Sequence, residues 1–225
     1  MARLARVVAA ALPHHVTQRG NRRQKVFFDE ADYRTYRELL AEGCRAADVA
    51  VWAYCLMPNH VHLILVPSDA DGLRAALAEA HRRYTRHVNF REGWRGYLWQ
   101  GRFASFPMDE SHLLACARYV ELNPVRARLV RNPRDWRWSS ARAHLAGKDD
   151  GLVVARPLLD IVGDWREFLK GGLSEDEHEA IRAHERTGQP LGEARFTARL
   201  EKRLGRTLAR QKPGPKPKAP QDRVN

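Results

Sequence analysis

Cysteine is scarce in this sequence. Three occur in 225 residues, Cys44, Cys55 and Cys116, with no C-x-x-C pair among them. That spacing excludes a disulfide framework and a zinc ribbon, and it fits a reducing compartment. Long apolar runs are also missing, and none reaches the roughly 20 residues a membrane span needs. The opening "MARLARVVAAALPHH" places basic residues before an apolar stretch. Val7 to Leu12 is shorter than a signal-peptide core, and a histidine-rich segment follows it. We read it as an N-terminal strand or arm of a cytoplasmic protein. No Walker motif occurs, so no nucleotide cofactor is expected. Negative charge is in deficit: 27 Asp and Glu face 39 Lys and Arg, a net +12. Such a surplus points to a polyanionic partner, nucleic acid before others.

What is present suffices for a core, with 44% hydrophobic residues. The length suits one ordinary domain plus an extension. "HHVTQRGN" reads as a strand ending in a turn at Gly20-Asn21. "DEADYRTYRELLAEGCRA" has Tyr33, Tyr36, Leu39, Leu40 and Cys44 at helical spacing. "VAVWAYCLM" and "HVHLILV" are strands around the turn Pro58-Asn59. "GLRAALAEAHRRYTRHV" is a second helix, "GYLWQGRFASFPM" an extended segment broken near Gly101, and "DESHLLACARYVELN" a third helix. The order β-α-β-β-α-β plus helix predicts an α+β fold of ferredoxin-like type: an antiparallel sheet, helices packed on one face, the other free for a ligand. The character changes after Ser140, with a boundary in "RAHLAGKDDG". We expect a domain over 1–145, a helical basic extension over 146–210, and a disordered Pro- and Lys-rich tail over 211–225. Within the extension, "SEDE" from Ser174 to Glu177 matches a capping box, and "EARFTARLEKRL" stops at Gly205.

Two histidines stand in the oily run "LMPNHVHLIL". Alternate strand residues share a face, so His60 and His62 point the same way and suit one divalent ion. Two imidazoles leave the site incomplete, so a third ligand is required. In "ARYVELNPVRARLV", Tyr119 and Asn123 are four residues apart on one helical face, with His112 and Cys116, while Glu121 points away. A tyrosine beside a carboxamide suits a nucleophile next to an ion. Two plainer readings stay open: Tyr119 as a core aromatic, and Asn123 as the N-cap of a new helix starting at Pro124.

Basic residues crowd the first turn, at Arg19, Arg22, Arg23 and Lys25, and the second helix, at Arg82, Arg83 and Arg86. Either set binds phosphate or is a solvated face. Trp99 and Arg102 flank the last strand, where Trp99 can stack an unpaired base or sit in the core. Arg203, Arg206 and Arg210 lead the basic C-terminal stretch, whose density suits a DNA backbone. Trp136 and Trp138 in "DWRWSS" are assigned to packing.

"PHHVTQRGNRRQKVF", "MPNHVHLIL", "WQGRF", "ARYVELNPVRA" and "DWRWSSARAH" occur in this order. Together they resemble the REP-associated tyrosine transposases, a bacterial branch of the HUH single-strand DNA transposases. The resemblance spans residues 10 to 145. It implies an HUH nuclease fold, a divalent ion (Mg2+ or Mn2+) on His60 and His62, and Tyr119 as nucleophile. Asn123 falls where the wider superfamily often has glutamine as third ligand. The implied partner is single-stranded DNA with hairpin-forming palindromic repeats, cut through a covalent 5′-phosphotyrosine by a monomer. A binding module without chemistry and a metal hydrolase using water are the competing classes.

Overall fold

The alternation of "HVHLILVP" becomes strand β3 (His60–Pro67), and the helical periodicity after Asp29 becomes α1 (Glu30–Ala46). The computed structural model describes residues 6–208. Around these two elements lie β1 (His14–Arg19), β2 (Val49–Met57), α2 (Gly72–Glu92), β4 (Ala104–Pro107) and α3 (Glu110–Arg126), in the expected order. The strands form one antiparallel sheet ordered β2-β3-β1-β4, the ferredoxin-like arrangement. Only four residues of the long extended segment pair as β4, because Gly101 turns the chain at φ 66. Gly20 ends β1 where a Cβ would lie 2.3 Å from the Gln24 carbonyl oxygen, so the tight turn demands glycine there.

Val16, Val61, Leu63 and Leu65 form one face and meet Tyr36 and Leu40 of α1 and Leu77 and Tyr84 of α2. The second face is not bare. Ala53, Cys55, Ile64 and Phe106 make it apolar, and that surface needs cover. Helix α3 supplies part of the cover through Leu113 and Val120. The extension supplies the rest through α5 (Arg156–Val162), α6 (Trp165–Lys170) and α7 (Glu175–Thr187), which add Leu158, Trp165, Leu169 and Ile181 to the same cluster. Helix α7 opens with the expected box between Ser174 and Glu177.

A buried carboxylate ties the extension to α3. Glu121 is fully buried and accepts bonds from Ser140 Oγ (2.5 Å), His144 Nδ1 (2.6 Å) and Trp165 Nε1 (2.8 Å). His144 belongs to the short α4 (Ala141–Ala146). Glu121 does point away from Tyr119, and its destination is this network rather than water.

The segment 6–13 is a half-buried arm, not a strand: Ala11 sits at φ 57 and Pro13 has no N–H to give a ladder. Val7 and Ala9 pack on Phe196 and Leu200 of α8 (Ala194–Leu204), which stops at Gly205 as expected. Arg203 donates to the Ala10 carbonyl and Arg206 to the Arg6 carbonyl, each at 2.9 Å. These two arginines, expected on DNA, brace the arm. Arg210 and the tail over 211–225 lie outside the described residues. No helix among the described residues is long and apolar enough to cross a membrane.

Candidate active site

Sheet register assembles the histidines. β1 and β3 pair Arg19 with His60, Thr17 with His62 and His15 with Ile64. Paired residues share a face, so His15, His60 and His62 converge on the second face of the sheet. The turn before β3 sets the first ring: His60 Nδ1 bonds Asn59 Oδ1 at 2.6 Å, while Asn59 Nδ2 donates to the Arg23 carbonyl. With the proton on Nδ1, the lone pair of His60 Nε2 is free for an ion. The His60 and His62 rings stand edge to face, 4.8 Å between centroids. His62 Nδ1 lies 3.1 Å from His15 Nε2, and those rings stack at 5.2 Å. Burial keeps all three imidazoles neutral: His15 falls to about 3, His60 to about 4, and His62 well below its ordinary value, helped by its two neighbours. Neutral imidazole is the form that ligates metal.

Helix α3 brings Tyr119 onto this group. Its ring is edge-on to His62 at 5.3 Å and to His15 at 5.9 Å, with the Arg126 guanidinium 4.8 Å from its centre. Asn123 follows one turn later and lines the same cleft. It lies inside α3, so it is not the cap of a new helix. Pro124 falls in the last turn, where it cannot donate to the Val120 carbonyl one turn back, yet α3 runs on to Arg126. His112 does not reach the cleft; it bonds the capping residue Asp109 at 2.6 Å. Cys116 is buried in the apolar cluster, and burial raises its thiol well above the usual range.

Glu185 of α7 completes the constellation from the extension. Its Oε1 lies 3.6 Å from His62 Nδ1 and 3.8 Å from His15 Nδ1. Burial lifts its carboxyl to about 7, against the pull of Arg19 and the neighbouring Tyr119 hydroxyl. Burial and Glu185 in turn push the Tyr119 hydroxyl above its ordinary value. His15, His62 and Glu185 offer ligand atoms all within 4.8 Å of one another, a group that can hold a metal ion. Both Glu185 Oε1 and His15 Nδ1 are buried without a hydrogen-bond partner. An ion is the group such a donor set lacks, so these residues fit one. His15 had a local signal, since it alternates with Thr17 and Arg19 in "HHVTQR". Glu185 had none.

The cleft above these groups encloses about 890 Å³ and is lined by six arginines: Arg19, Arg23, Arg102, Arg126, Arg182 and Arg186. Arg22 faces a neighbouring groove, and Lys25 is exposed outside the cleft. Trp99 does not offer its ring to a base. It is 6% exposed and packs against Tyr36 at 5.9 Å and His81 at 5.0 Å, on the α1–α2 side of the sheet. Burial of so large a ring favours the core. Arg82 and Arg83 pair with Glu79 and Glu42 on the surface, away from the cleft.

The family model "Transposase IS200 like" matches residues 9–123, which carry every element of the site except Arg126, Glu185 and the α7 arginines. The REP-associated tyrosine transposase of Escherichia coli is 22% identical over 152 residues, 67% of this chain and 84% of that protein. A Haemophilus influenzae relative of the same group is 26% identical over 144 residues, 57% of this chain and 80% of the relative. The solved structure of a REP-associated tyrosine transposase bound to a REP hairpin shares the fold, with a TM-score of 0.57 and 20% identity over 69% of this chain and 92% of that one. With the family model covering half of its length, this chain belongs to the IS200-like transposase family.

Proposed function

We propose that this transposase cuts and rejoins single-stranded, hairpin-forming DNA through Tyr119. The observation that carries the reading is the Tyr119 ring, edge-on to His62 at 5.3 Å, at the floor of an arginine-lined cleft. His60 and His62 are the residues that would hold Mg2+ or Mn2+, with His15, Asn123 or Glu185 beside them. A bound divalent ion supplies charge neutralisation and orientation at the phosphate.

The chain's own groups do the rest. The cleft arginines bind the strand's phosphates and bring one of them to Tyr119. Burial holds the tyrosine proton in place, so attack needs an acceptor. Glu185, beside that hydroxyl, is the acceptor in reach. The bond from the Tyr119 oxygen to phosphorus forms as the bond from phosphorus to the 3′ oxygen breaks. The 3′ oxygen then takes up a proton. The product is a 5′-phosphotyrosine and a free 3′-hydroxyl, and the retained phosphate ester allows rejoining without a nucleotide.

The test uses 5′- and 3′-labelled hairpin DNA with Mn2+ on a denaturing gel. Wild type should give a protein–DNA band, and Tyr119→Phe should give none while still binding the DNA. An adduct in Tyr119→Phe would overturn the assignment. Cleavage by wild type without an adduct would move the chemistry to water.

A further inference from the structure

Beside the cleft lies a second groove of about 320 Å³. Arg22, Gln24, Asn89, Trp94, Arg95 and Tyr97 line it, and no carboxylate appears among its described lining residues. Tyr97 is 86% exposed and Trp94 43%. The backbone below them is pinned. Asn21 N–H donates to the Leu98 carbonyl and Trp94 N–H to the Asn89 carbonyl, both at 2.8 Å. The Asn89 amide holds the Gly96 carbonyl at 2.9 Å. Gly93 and Gly96, at φ 66 and 91, make the turns this path requires. The two rings therefore stand in water on a fixed base, which lowers the ordering cost of binding.

The groove is joined to the cleft by one turn. Arg22 and Arg23 are adjacent, yet Arg23 lines the cleft with His60 and Tyr119, and Arg22 lines the groove. Both have positive φ, 51 and 63, and this backbone sends neighbouring side chains into different cavities. Asn59 bonds both the Arg23 carbonyl and His60, so the turn is fastened to the histidine site.

We propose that this groove is a subsite for unpaired bases of single-stranded DNA, which stack on Tyr97 and Trp94 while the adjoining phosphates meet Arg22 and Arg95. The proposal rests on the reading that the cleft takes single-stranded DNA. Every base has a face that stacks on an aromatic ring, and cations beside the rings track the backbone. Two aromatic rings flanked by arginines match that chemistry in charge as well as in apolar surface. Trp99 was the sequence's candidate for stacking; these exposed rings take the role it cannot.

The experiment places 2-aminopurine at successive positions of the unpaired flank of a hairpin, with the full chain in EDTA so that nothing is cut. Wild type should quench the probe at one or two positions. Tyr97→Ala should restore its fluorescence and weaken binding of the flanked hairpin roughly 5- to 150-fold, the range for one lost stack. Tyr97→Phe should bind like wild type, since stacking needs no hydroxyl. Trp94 packs against Phe28, so the exposed Tyr97 carries the test. A blunt hairpin should not distinguish Tyr97→Ala from wild type. Equal losses on blunt and flanked hairpins, or no loss on either, would overturn the proposal. Tighter binding of an RNA flank than of the DNA flank would also overturn it. The cleavage reading fails separately: wild type that binds the flanked hairpin but forms no adduct with Mn2+ defeats the Tyr119 chemistry and leaves this result standing.

Discussion

Replacing Glu185 with glutamine should stabilise the metal-free protein and weaken its grip on a divalent ion. The opposite signs follow from burial. In the folded chain the carboxyl is lifted from 4.5 to about 7 because α7 carries it under cover beside His15 and His62. In the unfolded chain it ionises in the ordinary carboxylate range. Below that range the folded protein carries no penalty. Between about 4.5 and 7 the unfolded chain ionises while the folded form keeps its proton, so stability falls; above 7 the folded form bears the buried carboxylate and the penalty stays level. At about 1.4 kcal/mol per pH unit, the penalty reaches about 3 kcal/mol at pH 8. Glutamine has the same shape and no charge, so Glu185→Gln should be up to about 3 kcal/mol more stable in EDTA at pH 8. Most of that gain should be gone at pH 5. Mn2+ should narrow or reverse the order. Wild type gains stability from ion binding by mass action, whereas the glutamine variant should bind the ion roughly 10- to 100-fold more weakly. Urea unfolding at both pH values, in EDTA and in Mn2+, measures the stabilities, and Mn2+ titration followed by electron paramagnetic resonance measures the affinity. A variant less stable than wild type in EDTA at pH 8, or one with unchanged Mn2+ affinity, would refute the reasoning.

Glu121→Ala leaves buried His144 Nδ1 and Trp165 Nε1 without an acceptor, and Ser140 with only the Tyr54 carbonyl, and should cost about 3–5 kcal/mol in urea unfolding. A loss under 1 kcal/mol would show that the Ser140–His144–Trp165 network does not fasten α3 to the extension. His14 and His81, lowered by burial to about 4 and about 3, stay neutral in the fold while the unfolded chain takes up protons near 6.5. Their contribution is therefore complete above pH 7 and is lost as pH falls from about 6.5 toward 4, by up to about 1.4 kcal/mol per pH unit for each. His81→Gln should flatten the fall in urea midpoint between pH 7 and pH 5, and an equally steep fall would remove His81 from that account.

The parts of the site that were legible in the sequence are those set by local periodicity. His60 and His62 share a face because a strand alternates, and Tyr119 and Asn123 share one because a helix turns in 3.6 residues. The order of strands and helices was legible for the same reason, and so was the capping box at Ser174. Where periodicity said nothing, packing chose. Asn123-Pro124 fits the start of a helix locally, yet the apolar face of α3 carries the helix through it. Trp99 can stack a base or fill a core, and the gap between Tyr36, His81 and Tyr84 claims it. Arg203 and Arg206 have the charge to bind DNA, but the return of α8 onto the N-terminal arm sets them on carbonyls. Glu185 was invisible in its own helix, because its role depends on α7 being laid across a sheet face that needed apolar cover. Contacts between positions far apart along the chain follow from which surfaces must be buried together, and that is a property of the folded whole.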